Sequence, residues 1–249
     1  MTTTQSDFLK PFITFIIVTK NDKIALKKTL DSINASDKRI NILIKDCNSV
    51  DGTSELCEKY VQENIFYISK IDNGIYDGMN QALEYVKTKY LLFLNAGEML
   101  YTWSIDTIIM QLFHQPIIVK FLVETEFAII RKERAGYFYF MRRMLNHQGL
   151  VYNINCFYIN YFNHEMKITG DLRHIVEYNL WKKIEYCDKL IVKYQGEGIA
   201  TNFNSIGINW KERMSVLKWK KVDSLLKLLI FASSIVGYLN WKIKSLYKI

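Results

Sequence analysis

Proline is almost missing from this chain, and so is any linker. Among 249 residues there are two prolines, Pro11 and Pro116, and 11 glycines. No Ser/Gly-rich stretch, internal repeat or low-complexity block divides the chain, which excludes a string of independent modules. The four cysteines (Cys47, Cys57, Cys156, Cys187) are far apart and form no CxxC pair. That spacing excludes a zinc ribbon or a disulfide scaffold and fits a reducing compartment. The opening MTTTQSDFLK lacks the charged-then-apolar pattern of a signal peptide, so a cytoplasmic location is expected. No GxGxxG follows the first apolar run, which disfavours a dinucleotide-binding dehydrogenase.

What is present suits one large core. Apolar residues make up 49% of the chain and charged residues 23%, the composition of a globular protein. The net charge of +8 is unevenly placed. From Lys211 to the end there are nine basic residues against Glu212 and Asp223, so nearly all the excess lies there. A nucleic-acid binder would spread its basic residues over a folded face, and no nucleic-acid partner is expected.

Residues 12 to 19 (FITFIIVT) form an apolar run of strand length, as in a strand buried on both faces of a parallel sheet. Asn21 and Asp22 can cap the helix that carries Leu26, Leu30 and Ile33. Further strands are expected at 40–45, 65–69 and 90–94, with helices between them. That alternation implies right-handed crossovers and a mostly parallel sheet, whose ligands bind at the carboxyl ends of the strands. Beyond Trp103 the pattern weakens: 117–123 and 127–130 could pair as a hairpin, 175–184 reads as helix, and 214–247 as one or two helices.

Three segments at those strand ends carry chemistry. In IKDCNSVDGTSE, Asp46 can accept from a base N–H while loop N–H groups and the following helix face negative oxygens. A solvated turn capped by Asp51, Thr53 or Ser54 would look the same. In KIDNGIYDGMNQAL, Asp72 and Gly74 belong to a tight turn, and Asp77 and Asn80 lie one helical turn apart. A capped amphipathic helix is again the bland alternative. In LLFLNAGE, Asn95, Ala96 and Glu98 follow an apolar strand, where a carboxylate can bind a hard divalent cation.

In this order, IIVTKND, IKDCNSVDGT, KIDNGIYDGMNQA and FLNAGE resemble the family 2 glycosyltransferases. They are most similar to the bacterial subgroup that builds capsule, exopolysaccharide or lipopolysaccharide. The resemblance implies a GT-A fold, α/β and Rossmann-like, with a mostly parallel sheet flanked by helices. It also implies a nucleotide-sugar donor (a UDP-sugar favoured), a divalent cation (Mn²⁺ or Mg²⁺) and a glycan or lipid-linked acceptor. Thr19, Asn21, Asp46 and Ser49 would surround the nucleotide, and Asp72, Gly74, Asp77 and Asn80 would line the donor pocket. Asn95 and Ala96 would also touch the donor, and Glu98, where the subgroup usually has Asp, would hold the metal. Farther on, Asn146-His147-Gln148 and Thr169-Gly170-Asp171 resemble later segments of the subgroup. They offer His147 to the diphosphate and Asp171 as the base for the acceptor hydroxyl. The subgroup's late loop is matched only by Gly196-Glu197-Gly198-Ile199-Ala200. No QxxRW motif of processive polymerases occurs, so single addition is expected. A silent family member acting as a binding or scaffold subunit is the alternative.

The resulting organisation is a transferase domain over 1–210, with a donor half at 12–103 and an acceptor half at 104–210, and an amphipathic helical tail over 211–249. Leu225 to Leu239 is apolar but for Lys227 and only about fifteen residues long, short of the roughly twenty a span requires. With Trp219, Trp241 and several lysines beside it, the run suits the surface of anionic lipid on the inner face of the cell membrane. Packing on the domain or in a homodimer would suit it as well.

Overall fold

The computed structural model describes residues 11–125, 133–158, 161–194 and 203–247. One eight-stranded sheet runs through it in the order β3-β2-β1-β4-β7-β6-β8-β5. β1 (Ile13–Thr19) is buried at all seven positions. It lies parallel to β2 (Ile40–Asp46) on one side and β4 (Tyr90–Asn95) on the other, and β3 (Ile65–Ser69) extends the parallel half. β7 (Leu150–Asn153) then enters antiparallel between β4 and β6 (Ile118–Glu124). β8 (Ile184–Lys193) runs parallel to β6, and β5 (Met99–Leu100) closes the edge antiparallel to β8. The continuous parallel run covers the first four strands and β6 pairs parallel with β8, while antiparallel β7 and β5 make the sheet as a whole mixed.

The two-residue period of the strands sorts apolar side chains to opposite faces. Ile13, Phe15 and Ile17 join Leu26 and Leu30 of α1 (Lys23–Ser32), Leu56 of α2 (Thr53–Tyr60) and Ile108 of α4 (Ser104–Leu112). Ile16 and Val18 join Met79 of α3 (Ile75–Leu83), Leu172 of α6 (Gly170–Glu177) and Ile230 of α8 (Ser224–Tyr247). Helices therefore cover both faces, a GT-A-like arrangement.

Several expectations change in the second half. Residues 117–123 do form a strand, but it pairs with β7 and β8, and 127–130 lie outside the described residues. The helix expected at 175–184 is displaced toward the N-terminus. α6 spans Gly170–Glu177, Asn179 takes a left-handed φ of 54°, and β8 starts at Ile184. Asp171 therefore sits inside the first turn of α6 rather than ahead of it. The loop at 196–200 is outside the described residues.

The boundary drawn at residue 210 falls inside α7 (Phe203–Met214). On its far side, Glu212 accepts from the backbone N–H groups of Lys167 (2.6 Å), Ile168 (3.1 Å) and Thr169 (2.9 Å). α7 and α8 interlock through glycines: a Cβ on Gly237 would meet Trp210 at 2.4 Å, and one on Gly207 would meet Trp241 at 2.6 Å. Trp219, expected at a lipid surface, is 1% exposed in the core and donates from Nε1 to Ser215 Oγ at 3.0 Å. The apolar run at 225–239 continues as one helix of 24 residues. By length and composition, Ser224–Ser245, with mean hydropathy 1.4, could cross a membrane.

Candidate functional site

β2 and β4 flank β1 on opposite sides, so the order of the strands reverses at the β1/β4 junction, where α/β sheets open a crevice. A cavity of about 820 Å³ opens there. Its walls come from the ends of β1 (Thr19, Lys20), β2 (Cys47) and β4 (Asn95, Ala96), the Asp72-Asn73-Gly74 turn with the start of α3, and a second wall of Glu133, 144–148 and Asp171. The volume suits a ligand of nucleotide size.

Of the residues expected at the site, Thr19, Asp72, Gly74, Asn95, Ala96, His147 and Asp171 line the cavity. Thr19 Oγ1 and Asn95 Oδ1 are buried and have no hydrogen-bond partner among the described residues. Because a buried orphan acceptor is costly, both are natural contacts for a ligand. The remaining expected residues stand behind the walls. Asp46 is fully buried and accepts from Ser49 N (2.9 Å), Ser49 Oγ, Tyr67 Oη (3.2 Å) and Ser69 Oγ (3.2 Å). Asn21 (φ 49°) donates its N–H to Ser49 Oγ at 2.7 Å and accepts from Val50 N at 2.9 Å, stitching the loops after β1 and β2 together. Asp77 accepts from Asn73 N (2.8 Å) and Asn73 Nδ2 (3.1 Å), closing the turn that holds Gly74. Asn80 exchanges hydrogen bonds with the backbone of Phe162 at 2.8 and 3.0 Å, tying α3 to the second half. Asp46, Asp77 and Glu98 are thus gathered behind three walls of one cavity and do not line it.

Glu98 is 2% exposed. Its carboxylate accepts from Asn95 N (2.8 Å), Asn95 Nδ2 (3.0 Å) and Gln148 Nε2. Burial pushes its pKa up to about 7, against the pull of His147 and these donors. The Asn95 amide is oriented by Glu98, which leaves Oδ1 as the free acceptor. Beside Asn95, whose Nδ2 is 3.5 Å from His147 Nε2, His147 Nδ1 lies 3.3 Å from Asp171 Oδ2. Burial lowers the His147 pKa, but the hydrogen bond and charge of Asp171 and the charge of Glu98 prevail and hold it above the ordinary value. Asp171 Oδ1 accepts from Leu172 N at 2.8 Å and lies 3.0 Å from the Tyr76 hydroxyl. Among the described residues, no group of three or more His, Cys, Asp or Glu side chains is clustered to hold a metal.

Two buried lysines complete the site and were missed from sequence. Lys45 Nζ donates to Asp72 Oδ2 at 2.8 Å and to the Lys70 carbonyl at 2.7 Å. Lys120 Nζ meets Glu133 Oε2 at 2.9 Å and donates to the Phe121 carbonyl at 2.7 Å, and burial lowers its pKa. Glu133 in turn accepts from Asn146 N at 2.9 Å, fixing the wall beside His147. The signal was available: each is a lysine set in an otherwise largely apolar strand, INILIKD and IVKFLVE, and lysines are rarely fully buried unless paired.

Fold and cavity together define a GT-A-like α/β protein with a nucleotide-sized crevice at the sheet's switch point. Residues 14–98 match the family model described as Glycosyl transferase family 2. No curated protein matches the chain. Among solved structures, it is similar to S. aureus TarS 1-349 in complex with UDP-GlcNAc, at a TM-score of 0.68 and 14% identity over 92% of this chain and 73% of that one. It is also similar to the mannosyltransferase PcManGT from Pyrobaculum calidifontis in complex with GDP-Man and Mn²⁺, at 0.66 and 12% over 94% and 74%. Of the longer S. aureus TarS structure it covers 43% (TM-score 0.63, 12% identity). At these identities the likeness is one of fold. Together with the family match over 14–98, it supports a glycosyltransferase.

Proposed function

We propose that this chain transfers a hexosyl or N-acetylhexosaminyl group from a nucleotide diphosphate sugar, a UDP-sugar favoured, to a glycan or lipid-linked acceptor with inversion. Bacterial surface polysaccharide is the proposed product. The observation that carries the reading is the cavity at the β1/β4 switch point, lined by the buried Thr19 Oγ1 and Asn95 Oδ1, which have no hydrogen-bond partner among the described residues, and by the His147–Asp171 pair. The family match over 14–98 and similar structures in complex with UDP-GlcNAc and GDP-Man support it.

In this reading Thr19, Lys20 and Cys47 receive the nucleotide, and Asp72, held by Lys45, orients the sugar. Asp171 Oδ2 takes the acceptor hydroxyl proton as that oxygen attacks the anomeric carbon, and the nucleoside diphosphate departs from the opposite face. His147, its pKa raised, supplies positive charge on the same wall. A divalent cation, when bound, would neutralise charge on the leaving diphosphate. Asn95 Oδ1, buried without a hydrogen-bond partner among the described residues, is the group that would hold the cation. Glu98, engaged by three donors, orients Asn95 from behind.

The inward, fully engaged Glu98 also favours a second reading, a donor-binding subunit without catalysis. Metal-dependent donor hydrolysis would exclude it. The primary test is titration calorimetry with UDP-GlcNAc and GDP-mannose, with and without Mn²⁺, on wild type and Thr19→Val. Saturable binding weakened by the valine is expected. No binding of any nucleotide sugar by the wild type would end the transferase reading.

A further inference from the structure

α8 is apolar on two opposite sides, and among the described residues only one has a partner. Leu226, Ile230 and Ser234 are buried at 1%, 0% and 0% exposure. On this side Ser233 Oγ donates to the Met141 carbonyl of α5 (Tyr137–Arg142) at 2.6 Å, and Gly237 receives Trp210 of α7. The other side presents Leu225, Leu228, Ile235, Val236, Leu239 and Ile243. At 100° per residue these six fall within one narrow sector, and the helix spans about 36 Å. A stripe of this kind marks an interaction surface.

We infer that α8 docks in the plane of an anionic bilayer, its stripe in the headgroup region and its long axis along the surface. Charge complementarity selects lipid over a second copy of the chain. No Asp or Glu occurs from Ser224 onward, and the exposed Lys242 borders the stripe. Lys218, Lys220 and Lys221 are exposed just before the helix. Two copies meeting through this face would bring like charges together, whereas anionic headgroups neutralise them. The packed side selects lying over crossing. α7, which grips α8 through the two Gly–Trp contacts, carries Lys211, Glu212 and Arg213 and would have to enter the hydrocarbon with it. α5, packed on the other side of α8, exposes Phe138 (84%), and the chain then runs directly into the cavity wall at 144–148. The docking does not rest on the transferase reading. Granted that reading, it brings the cavity mouth to a lipid-linked acceptor.

The test is co-sedimentation of the full chain with phosphatidylglycerol/phosphatidylcholine vesicles and with phosphatidylcholine vesicles, at low and high salt. The companion variant is Leu228→Glu/Leu239→Glu, whose sites are 60% and 51% exposed. Expected are binding to the anionic vesicles, weakening by salt, and a loss of roughly tenfold or more in the variant, with unchanged circular dichroism and melting. Equal binding by the variant, or none by the wild type, overturns the inference. A wild-type dimer that the variant dissociates, or vesicle-bound protein that resists alkaline extraction, overturns it too, assigning the stripe to a second copy or to a span.

Discussion

His147 Nδ1 and Asp171 Oδ2 meet at 3.3 Å, bringing a 3-10 turn before β7 into contact with the first turn of α6. Tyr76 of α3 supports the same carboxylate from the other half of the chain, its hydroxyl 3.0 Å from Asp171 Oδ1. The pair forms one wall of the cavity, and only tertiary contacts fix its geometry.

If Asp171 is the base, Asp171→Asn keeps the shape of the wall and removes the proton acceptor. Turnover is expected to fall roughly a hundred- to ten-thousandfold while the donor dissociation constant stays near that of wild type. Steady-state kinetics beside calorimetry would separate the two. A variant that keeps its turnover rules Asp171 out.

The buried Lys45–Asp72 pair is a stability prediction independent of function. Lys45→Met leaves Asp72 and the Lys70 carbonyl without their donor. Breaking a buried pair on one side costs about 3–5 kcal/mol, and Asp72, 11% exposed, points to the lower figure. Urea denaturation measures it, and an unchanged midpoint would contradict the account.

Glu98 makes stability depend on pH. Its folded pKa of about 7 exceeds the ordinary 4.5, so between those values the folded protein holds more protons than the unfolded chain. Stability should therefore fall as pH rises through that window, by about 3 kcal/mol in all. His147, also raised, adds a loss of the same sign at higher pH. Denaturation in the presence of a chelator, from pH 4.5 to 7, should show this slope, and Glu98→Gln should flatten it. A slope unaffected by the substitution would assign it elsewhere.

Gly237 sets two effects against each other. Alanine is the better helix former by about 1 kcal/mol, yet its Cβ would stand 2.4 Å from Trp210. Overpacking of this kind costs about 1–3 kcal/mol, so Gly237→Ala is expected to lower the melting temperature by a few degrees. A rise would mean that the α7–α8 interface yields easily.

How far the sequence reaches depends on how local each signal is. The unbroken run of β-branched and aromatic residues in β1, and the alternation of strands with helices through Asn95, follow from burial on two faces, so the parallel half was legible without a structure. The turn residues at 46–52, 72–74 and 95–98 mark strand ends for the same reason. In the second half, β7 takes its direction from the neighbours it joins, and Asn179 cuts short a helix that apolar spacing alone would extend. Neither appears in a local pattern. Only the tertiary structure decided that Asp46, Asp77 and Glu98 brace the cavity from behind, because a carboxylate's role depends on which donors surround it. It also decided that Trp219 is core, that Lys45 and Lys120 are buried partners of the walls, and that one side of α8 stays bare. Those facts rest on contacts between residues remote in sequence, which composition and spacing do not encode.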